Sequence, residues 1–256
     1  MADAEADAAD PDLLIDFARV TLRRGRQTLV GPVTWSVELD ERWVVIGPNG
    51  AGKTSLLRIA AALEHPSSGT AFVLGERLGR VDMSELRSRV GLSSSALSQR
   101  VPDGEVVRDL VVSAGYAVLG RWQEQYEDVD YDQAIDMLES IGAEHLADRT
   151  YGTLSEGERK RVLIARSMMT DPELLLLDDP HWARARRAMD AVWFVASEEA
   201  MRVERLVARH VRFGKTPHEA RDWVATTDQR NSELVAGTLA KADRVIVNGV
   251  AGWDLG

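Results

Sequence analysis

The stretch Gly47-Pro48-Asn49-Gly50-Ala51-Gly52-Lys53-Thr54 constrains this chain more than any other. Its closely spaced glycines, followed at once by a lysine and a threonine, suit neither a helix interior nor a strand. They suit a loop whose backbone N–H groups converge on one point, in dihedrals that a side chain would forbid. Before it, Trp43-Val44-Val45-Ile46 is a short apolar run that reads as a buried strand. After it, Lys53 to Leu63 (KTSLLRIAAAL) holds strong helix formers and no breaker until Pro66, so it reads as a helix. Strand, glycine loop and helix start in that order make an anion site, because the helix directs its positive end where the loop amides point. The pattern G-x-x-x-x-G-K-[ST] adds Lys53 as a point charge for β- and γ-phosphates and the Thr54 hydroxyl as a magnesium ligand. Average residue usage produces it by accident roughly once in a hundred chains of this length. The chain is therefore expected to bind ATP with Mg²⁺ through Gly47, Pro48, Asn49, Gly50, Ala51, Gly52, Lys53, Thr54 and Ser55.

A second acidic element is Leu174 to Leu177 followed by Asp178 and Asp179. At the end of a buried strand, Asp178 is placed to hold magnesium through water. An aspartate pair there also suits the start of a turn. The glycine loop upstream favours the metal.

The rest of the pattern is α/β. Leu13 to Leu22 and Val33 to Leu39 alternate like strands and form an antiparallel β region ahead of the loop. Val106 to about Leu146 reads as helices carrying Trp122, Tyr126 and Tyr131, a helical subdomain over about 102–150. Glu156 to Met169 is a helix, and Glu173 to Leu177 a fully buried strand. Past Pro180, Asp190 to Ala196 is a strand and Glu198 to His210 a basic helix. Pro217 to Ala225 and Gln229 to Ala240 are helices, and Arg244 to Asn248 a last strand. This alternation predicts a P-loop NTPase fold with a mainly parallel central sheet. A formal net charge of -10 argues against a nucleic-acid partner. Residues 1–12 (MADAEADAADPD) carry part of that charge without apolar periodicity and read as a disordered acidic tail. Zero cysteines remove disulfides, zinc-thiolate sites and thiol nucleophiles, which fits the cytoplasm. No run approaches the ~18 apolar residues of a membrane span, so any membrane association must come through a partner.

From about Leu13 to Pro180 the sequence resembles ABC-transporter ATP-binding subunits. The resemblance rests on GPNGAGKTS (Gly47 to Ser55), LSEGERKRVLIARSMM (Leu154 to Met169) and DPELLLLDDP (Asp171 to Pro180), in that order. Leu154-Ser155-Glu156-Gly157-Glu158 looks like the family's signature loop, normally LSGGQ. The resemblance implies that Ser155, Gly157 and Glu158 face the nucleotide of a second ATP-binding subunit in a head-to-tail pair. Ser155 with Glu158 is also a capping box, and a capped helix start remains an anion site. The segment Val106 to Arg149 stands where the family's helical subdomain meets a membrane permease, which would hold the chain at the inner face of the cell membrane. Departures accompany the likeness. Arg23 and Arg24 stand where the family stacks an aromatic on adenine, and Ser94 or Ser95 replaces the Q-loop glutamine; Gln99 comes a few residues late. Asp179 takes the place of the catalytic glutamate, one methylene short for orienting a water. Lys53 and Asp179 are the catalytic candidates.

After Pro180 neither a D-loop nor a switch histidine follows. The text LLLDDPHWARARRAMDAVWFV, then Arg205 to Trp223, then Asp228-Gln229-Arg230-Asn231, resembles the C-terminal part of P-loop nucleoside and pantothenate-type kinases. That likeness implies that Arg202, Arg205 and Arg209, at i, i+3, i+7, close as a lid on triphosphate; a solvated basic face fits the spacing equally. Residues 181–256 are thus expected to complete the sheet. The Asp190–Ala196 strand would join Val44–Gly47 and Leu174–Leu177 after a short crossover helix at His181–Asp190. The function expected is an ATP-binding subunit of an ABC-type system with an incomplete hydrolytic set. The alternatives are a small-molecule kinase and a non-catalytic nucleotide-binding module.

Overall fold

In the computed structural model, residues 9–116, 118–120, 126–178, 191–197, 199–236, 242–249 and 252–255 are described. In chain order the strands are β1 Leu13–Arg24, β2 Gln27–Glu38, β3 Trp43–Ile46, β4 Ser68–Val73 and β5 Glu76–Arg77, then β6 Val90–Ser94, β7 Leu174–Asp178, β8 Ala191–Ser197, β9 Arg244–Gly249 and β10 Gly252–Leu255. The helices are α1 Lys53–Ala60, α2 Met83–Ser88, α3 Ser95–Ser98, α4 Val107–Val112, α5 Asp128–Ser140, α6 Glu156–Met168, α7 Glu199–Arg212, α8 Pro217–Trp223 and α9 Gln229–Ala236. A π-helical turn, Val224–Asp228, runs from α8 into α9. The chain divides into two units, Met1–Arg80 with Pro180–Gly256, and Val81–Asp179.

In the first unit an antiparallel sheet runs β2-β1-β4-β5. Alternation decides its buried face: Ile15 and Phe17 of β1 and Val33, Trp35 and Val37 of β2 are all buried. Phe17 lies opposite Trp35 in register, and their rings meet edge to face at 5.7 Å. The second sheet is ordered β10-β9-β8-β3. There β3 pairs in parallel with β8, with Ile46 opposite Phe194, and β8 pairs in parallel with β9. Val44, Ile46 and Phe194 form a buried cluster at this seam. The expected parallel partner for Val44–Ile46 is therefore present and comes from beyond Pro180. A strand that sequence patterning did not announce, β10, lies antiparallel to β9.

The second unit holds the two-stranded parallel sheet β6-β7 and the helices α2 to α6. Leu110, Leu138, Leu146, Tyr151, Val162 and Leu163 form its core. The expectation that Leu174–Leu177 shares a sheet with Val44–Ile46 is corrected: β7 pairs with β6, Val90 opposite Leu174 through Ser94 opposite Asp178. The strand is not buried on both faces either. Leu174 and Leu176 are 7% exposed whereas Leu175 is 39% exposed, the alternation of a strand with one covered face.

Helix α1 stops at Ala60, short of the expected Leu63. Ala62 turns left-handed at φ 54°, and Leu63 N–H returns to the Arg58 carbonyl at 2.9 Å. Ion pairs from Arg58 and Arg24 to Glu64 hold this end. Among the described residues no helix is long and apolar enough to cross a membrane. The tail expected at 1–12 falls largely outside the described residues, as do Trp122, Asp179 and the crossover at 181–190.

Candidate functional site

The glycine loop leaves β3 and reaches α1 through three residues of positive φ: Gly47 at 154°, Gly50 at 82° and Gly52 at 104°. A Cβ on Gly47 would stand 2.2 Å from the Val195 carbonyl oxygen, so this glycine is required by the strand it passes. Gly52 is the N-cap of α1. It offers no side-chain oxygen to the first turn, and that turn carries no acidic residue. Helix starts usually satisfy their orphan N–H groups with Ser, Thr, Asp or Asn. Gly52 cannot cap in that way, and the polarity of the helix start favours an anion.

Lys53 curls back over the loop, donating from Nζ to the carbonyls of Gly47 at 2.7 Å and Pro48 at 3.0 Å. Thr54 is exposed on the first turn, Ser55 partly so, and Ala51 is buried beneath them. The segment Gly47, Pro48, Asn49, Gly50, Ala51, Gly52, Lys53, Thr54 and Ser55 runs from the end of β3 into the first turn of α1, with Gly47 and Ala51 buried and Asn49 and Thr54 exposed. Among the described residues no group of three or more His, Asp or Glu could hold a metal by itself. Magnesium at such a site is held chiefly by phosphate and water, with one or two protein oxygens. The exposed Thr54 fits that donor set.

The C-terminal helices reach this loop, and not as a lid. Arg202 and Arg205 are 4% and 7% exposed. Arg202 donates to the Ser232 hydroxyl at 2.7 Å and to the Gln229 side-chain carbonyl. Arg205 donates to the Gly50 carbonyl at 3.3 Å and to that of Thr28. Burial pulls the Arg205 guanidinium below its ordinary value, with neighbouring Glu204 opposing. Both guanidiniums are committed to protein oxygens, and only Arg209 of the expected trio is exposed. Asp228, 6% exposed, accepts from Asn49 Nδ2 at 3.3 Å through Oδ1, while its Oδ2 lies 2.9 Å from His210 Nε2. Sequence reasoning missed this pairing. Asn49 and Asp228 are 179 residues apart, and neither shows a local pattern pointing at the other.

In the second unit, Asp178 ends β7 beside Ser94, partly exposed. Ser155 is the N-cap of α6 in a complete capping box with Glu158. Ser155 N–H donates to Glu158 Oε2 at 2.7 Å, and Glu158 N–H to Ser155 Oγ at 3.4 Å. The Ser155 side chain first, and its backbone N–H second, hold the Glu158 carboxyl below its ordinary 4.5. Ser155 and Gly157 are exposed, with open space at Gly157. Ser94 accepts from Leu97 N–H at 3.2 Å and caps α3. Arg24, at the expected adenine-stacking place, is drawn to Glu64. Asp179 lies outside the described residues.

The family described as ABC transporter matches residues 30–181. The chain belongs to the ABC transporter family. An ABC transporter ATP-binding protein of Bacillus subtilis (strain 168), the uncharacterized YlmA, is 36% identical over 192 residues, 73% of this chain and 72% of that one. A putative ABC transporter ATP-binding protein of Streptococcus mutans is 35% identical over 166 residues, 65% of this chain and 64% of its own length. Among solved structures, the dimeric post-hydrolysis state of the ATP-binding cassette MJ0796, bound to ADP and Pi, matches with a TM-score of 0.59. It is 15% identical, and the match covers 94% of this chain and 98% of that one. That likeness concerns the fold: an ABC cassette, a P-loop NTPase of mixed α/β structure. As an ABC transporter domain the chain binds nucleotide.

Proposed function

We propose that this ABC protein is the ATP-binding subunit of a transport system and takes MgATP at the loop Gly47–Ser55. The observation that carries this is the start of α1: a loop with three glycines at positive φ opens onto a helix whose N-cap, Gly52, carries no side chain and whose first turn carries no acidic residue. A triphosphate suits the positive end of such a helix. Lys53 then exchanges its two carbonyl partners for phosphate oxygens, and Thr54 and Asp178 are the residues assigned to magnesium. In a head-to-tail pair, Ser155, Gly157 and Glu158 of one subunit meet the nucleotide of the other. The exposed, capped start of α6 has the polarity for that role. Asp179 is the carboxylate available to orient a water, with reach one methylene shorter than a glutamate. A permease partner would hold the subunit at the cytoplasmic face of the membrane.

The division that accompanies this reading is an acidic tail at 1–12, an ABC-type region at 13–180 with its helical subdomain at about 102–150, and a segment at 181–256 that supplies β8 and β9. The kinase likeness of that last segment is the subsidiary part of the proposal. Titration with a fluorescent ATP analogue, followed by phosphate release without added acceptor, tests both. Binding with slow release supports an ABC-type site lacking a full hydrolytic set. Release near the typical enzyme turnover of ~10 s⁻¹ refutes the incompleteness. ADP release that depends on an added alcohol acceptor would favour the kinase reading.

A further inference from the structure

The C-terminal helices do more than flank the glycine loop. At two consecutive residues they hold it by polar contacts. Asn49 Nδ2 donates to Asp228 Oδ1 at 3.3 Å, and the Gly50 carbonyl accepts from Arg205 Nη1 at 3.3 Å. Arg205 also reaches the Thr28 carbonyl of β2, so one guanidinium ties the loop to the antiparallel sheet. Apolar contact reinforces the grip. A Cβ on Gly50 would stand 3.1 Å from Leu206 Cγ and 3.2 Å from Arg202 Cγ, so any side chain there would press on α7.

Asp228 is itself fixed from several sides. Its second carboxylate oxygen lies 2.9 Å from His210 Nε2 of α7. Its backbone carbonyl accepts from the Ser232 hydroxyl at 2.8 Å, and that hydroxyl accepts from Arg202 at 2.7 Å. The π-helical turn brings this about, since Asp228 is its last residue and Ser232 lies one helical turn on, in α9. A side chain held this way, almost wholly buried, has one acceptor to spare for Asn49.

We propose that α7, the π-helical turn and α9 form a clamp that pre-orders the phosphate loop, with Asp228 the positioning residue for Asn49 and Arg205 for Gly50. The proposal rests on the reading of Gly47–Ser55 as the ATP site. The gain from such a clamp is entropic. A loop with three glycines at positive φ has many alternative conformations when unrestrained. A ligand that must order it loses affinity by that amount, and a loop ordered beforehand does not impose that loss. The clamp also assigns the segment after Pro180 a part in nucleotide binding without placing any of its residues on the nucleotide.

A double-mutant cycle on nucleotide affinity tests this. Asn49→Ala, Asp228→Ala and the double variant are titrated with a fluorescent ATP analogue, beside wild type and Lys53→Ala. Each single change should weaken binding about five-fold, the worth of one hydrogen bond. The double variant should bind no more weakly than the weaker single, because both remove the same contact. Asp228→Asn, which keeps an acceptor for Asn49, should restore most of the affinity. Should Asp228→Ala not fold, Asp228→Ser runs the same cycle. Single effects that multiply in the double variant, or wild-type affinity in a folded Asp228→Ala, overturn the clamp alone. Wild-type binding that survives Lys53→Ala overturns the P-loop reading, and the clamp with it.

Discussion

Replacing Gly47 by alanine should destabilise the protein severely before nucleotide is considered. The added Cβ would sit 2.2 Å from the Val195 carbonyl oxygen, 3.1 Å from its carbon and 3.2 Å from the Val195 Cβ. Nothing there is the yielding tip of a flexible side chain. Val195 lies in β8, which is hydrogen-bonded to β3 on one side and β9 on the other, so it cannot retreat without opening a ladder. Two costs add. Holding alanine at the φ of 154° seen for Gly47 takes about 1–3 kcal/mol. Forcing a methyl into a closed seam takes about 1–3 kcal/mol more. A total near 4 kcal/mol is a large part of the ~5–15 kcal/mol that keeps a typical domain folded. At about 2–4 °C per kcal/mol for a chain of this size, the midpoint should fall by roughly 8–16 °C. The measurement is thermal and urea unfolding of the nucleotide-free protein, since bound ligand would add stability of its own. Gly157→Ala is the control: open space surrounds that position in α6, so stability should hold or rise by up to about 1 kcal/mol. A Gly47→Ala protein within about 1 kcal/mol of wild type would mean that β8 does not pack against the loop, and the tail would be a passenger.

Lys53→Ala should keep the fold and lose about 1.5–3 kcal/mol of ATP affinity, roughly a 10- to 150-fold rise in Kd; unchanged affinity in the folded variant refutes the site. A fragment of residues 1–180 lacks β8, the partner of β3, and the Phe194 that clusters with Val44 and Ile46, so it should be insoluble or bind a hydrophobic dye without a cooperative transition. A monomeric, cooperatively folding, ATP-binding fragment would contradict this. Glu158, held below its ordinary 4.5 by Ser155, stabilises the folded state above that pH, and the contribution is lost as pH falls through its lowered folded value. The gap in Tm between wild type and Glu158→Gln at pH 7 should therefore close on acidification below about 4.5; a gap that persists there would show that the capping contact does not depend on charge.

Apart from the parallel pairing of β3 with β8, what was legible in the sequence was local. The strand, loop and helix around Gly47 to Lys53, and the capping box of Ser155 with Glu158, are each set by neighbours a few residues away. Propensity and spacing report such features directly. The four leucines from Leu174 suggested a strand covered on both faces, because a leucine run says nothing of which neighbour supplies the cover. Paired with β6, the strand leaves Leu175 exposed. The i, i+3, i+7 spacing of Arg202, Arg205 and Arg209 correctly put the first two on one face. Spacing cannot say what that face meets, and carbonyls and amide oxygens reached the guanidiniums where phosphate was expected. Ala62 carries no sequence mark of its left-handed turn, since alanine is the strongest helix former. The Asn49–Asp228 contact is of the same kind: it exists only once both ends of the chain are folded.

The pairing of Trp43 with Ala191 sets an order on synthesis. The β1–β2 hairpin can close as soon as it leaves the ribosome, but the strand feeding the glycine loop must wait for a partner encoded far downstream. At ~5–20 residues per second that wait is on the order of ten seconds, during which Val44 and Ile46 have no sheet to join. Interrupted translation would release a nascent chain with an open, apolar strand edge, a species prone to cross-strand association and suited to chaperone capture.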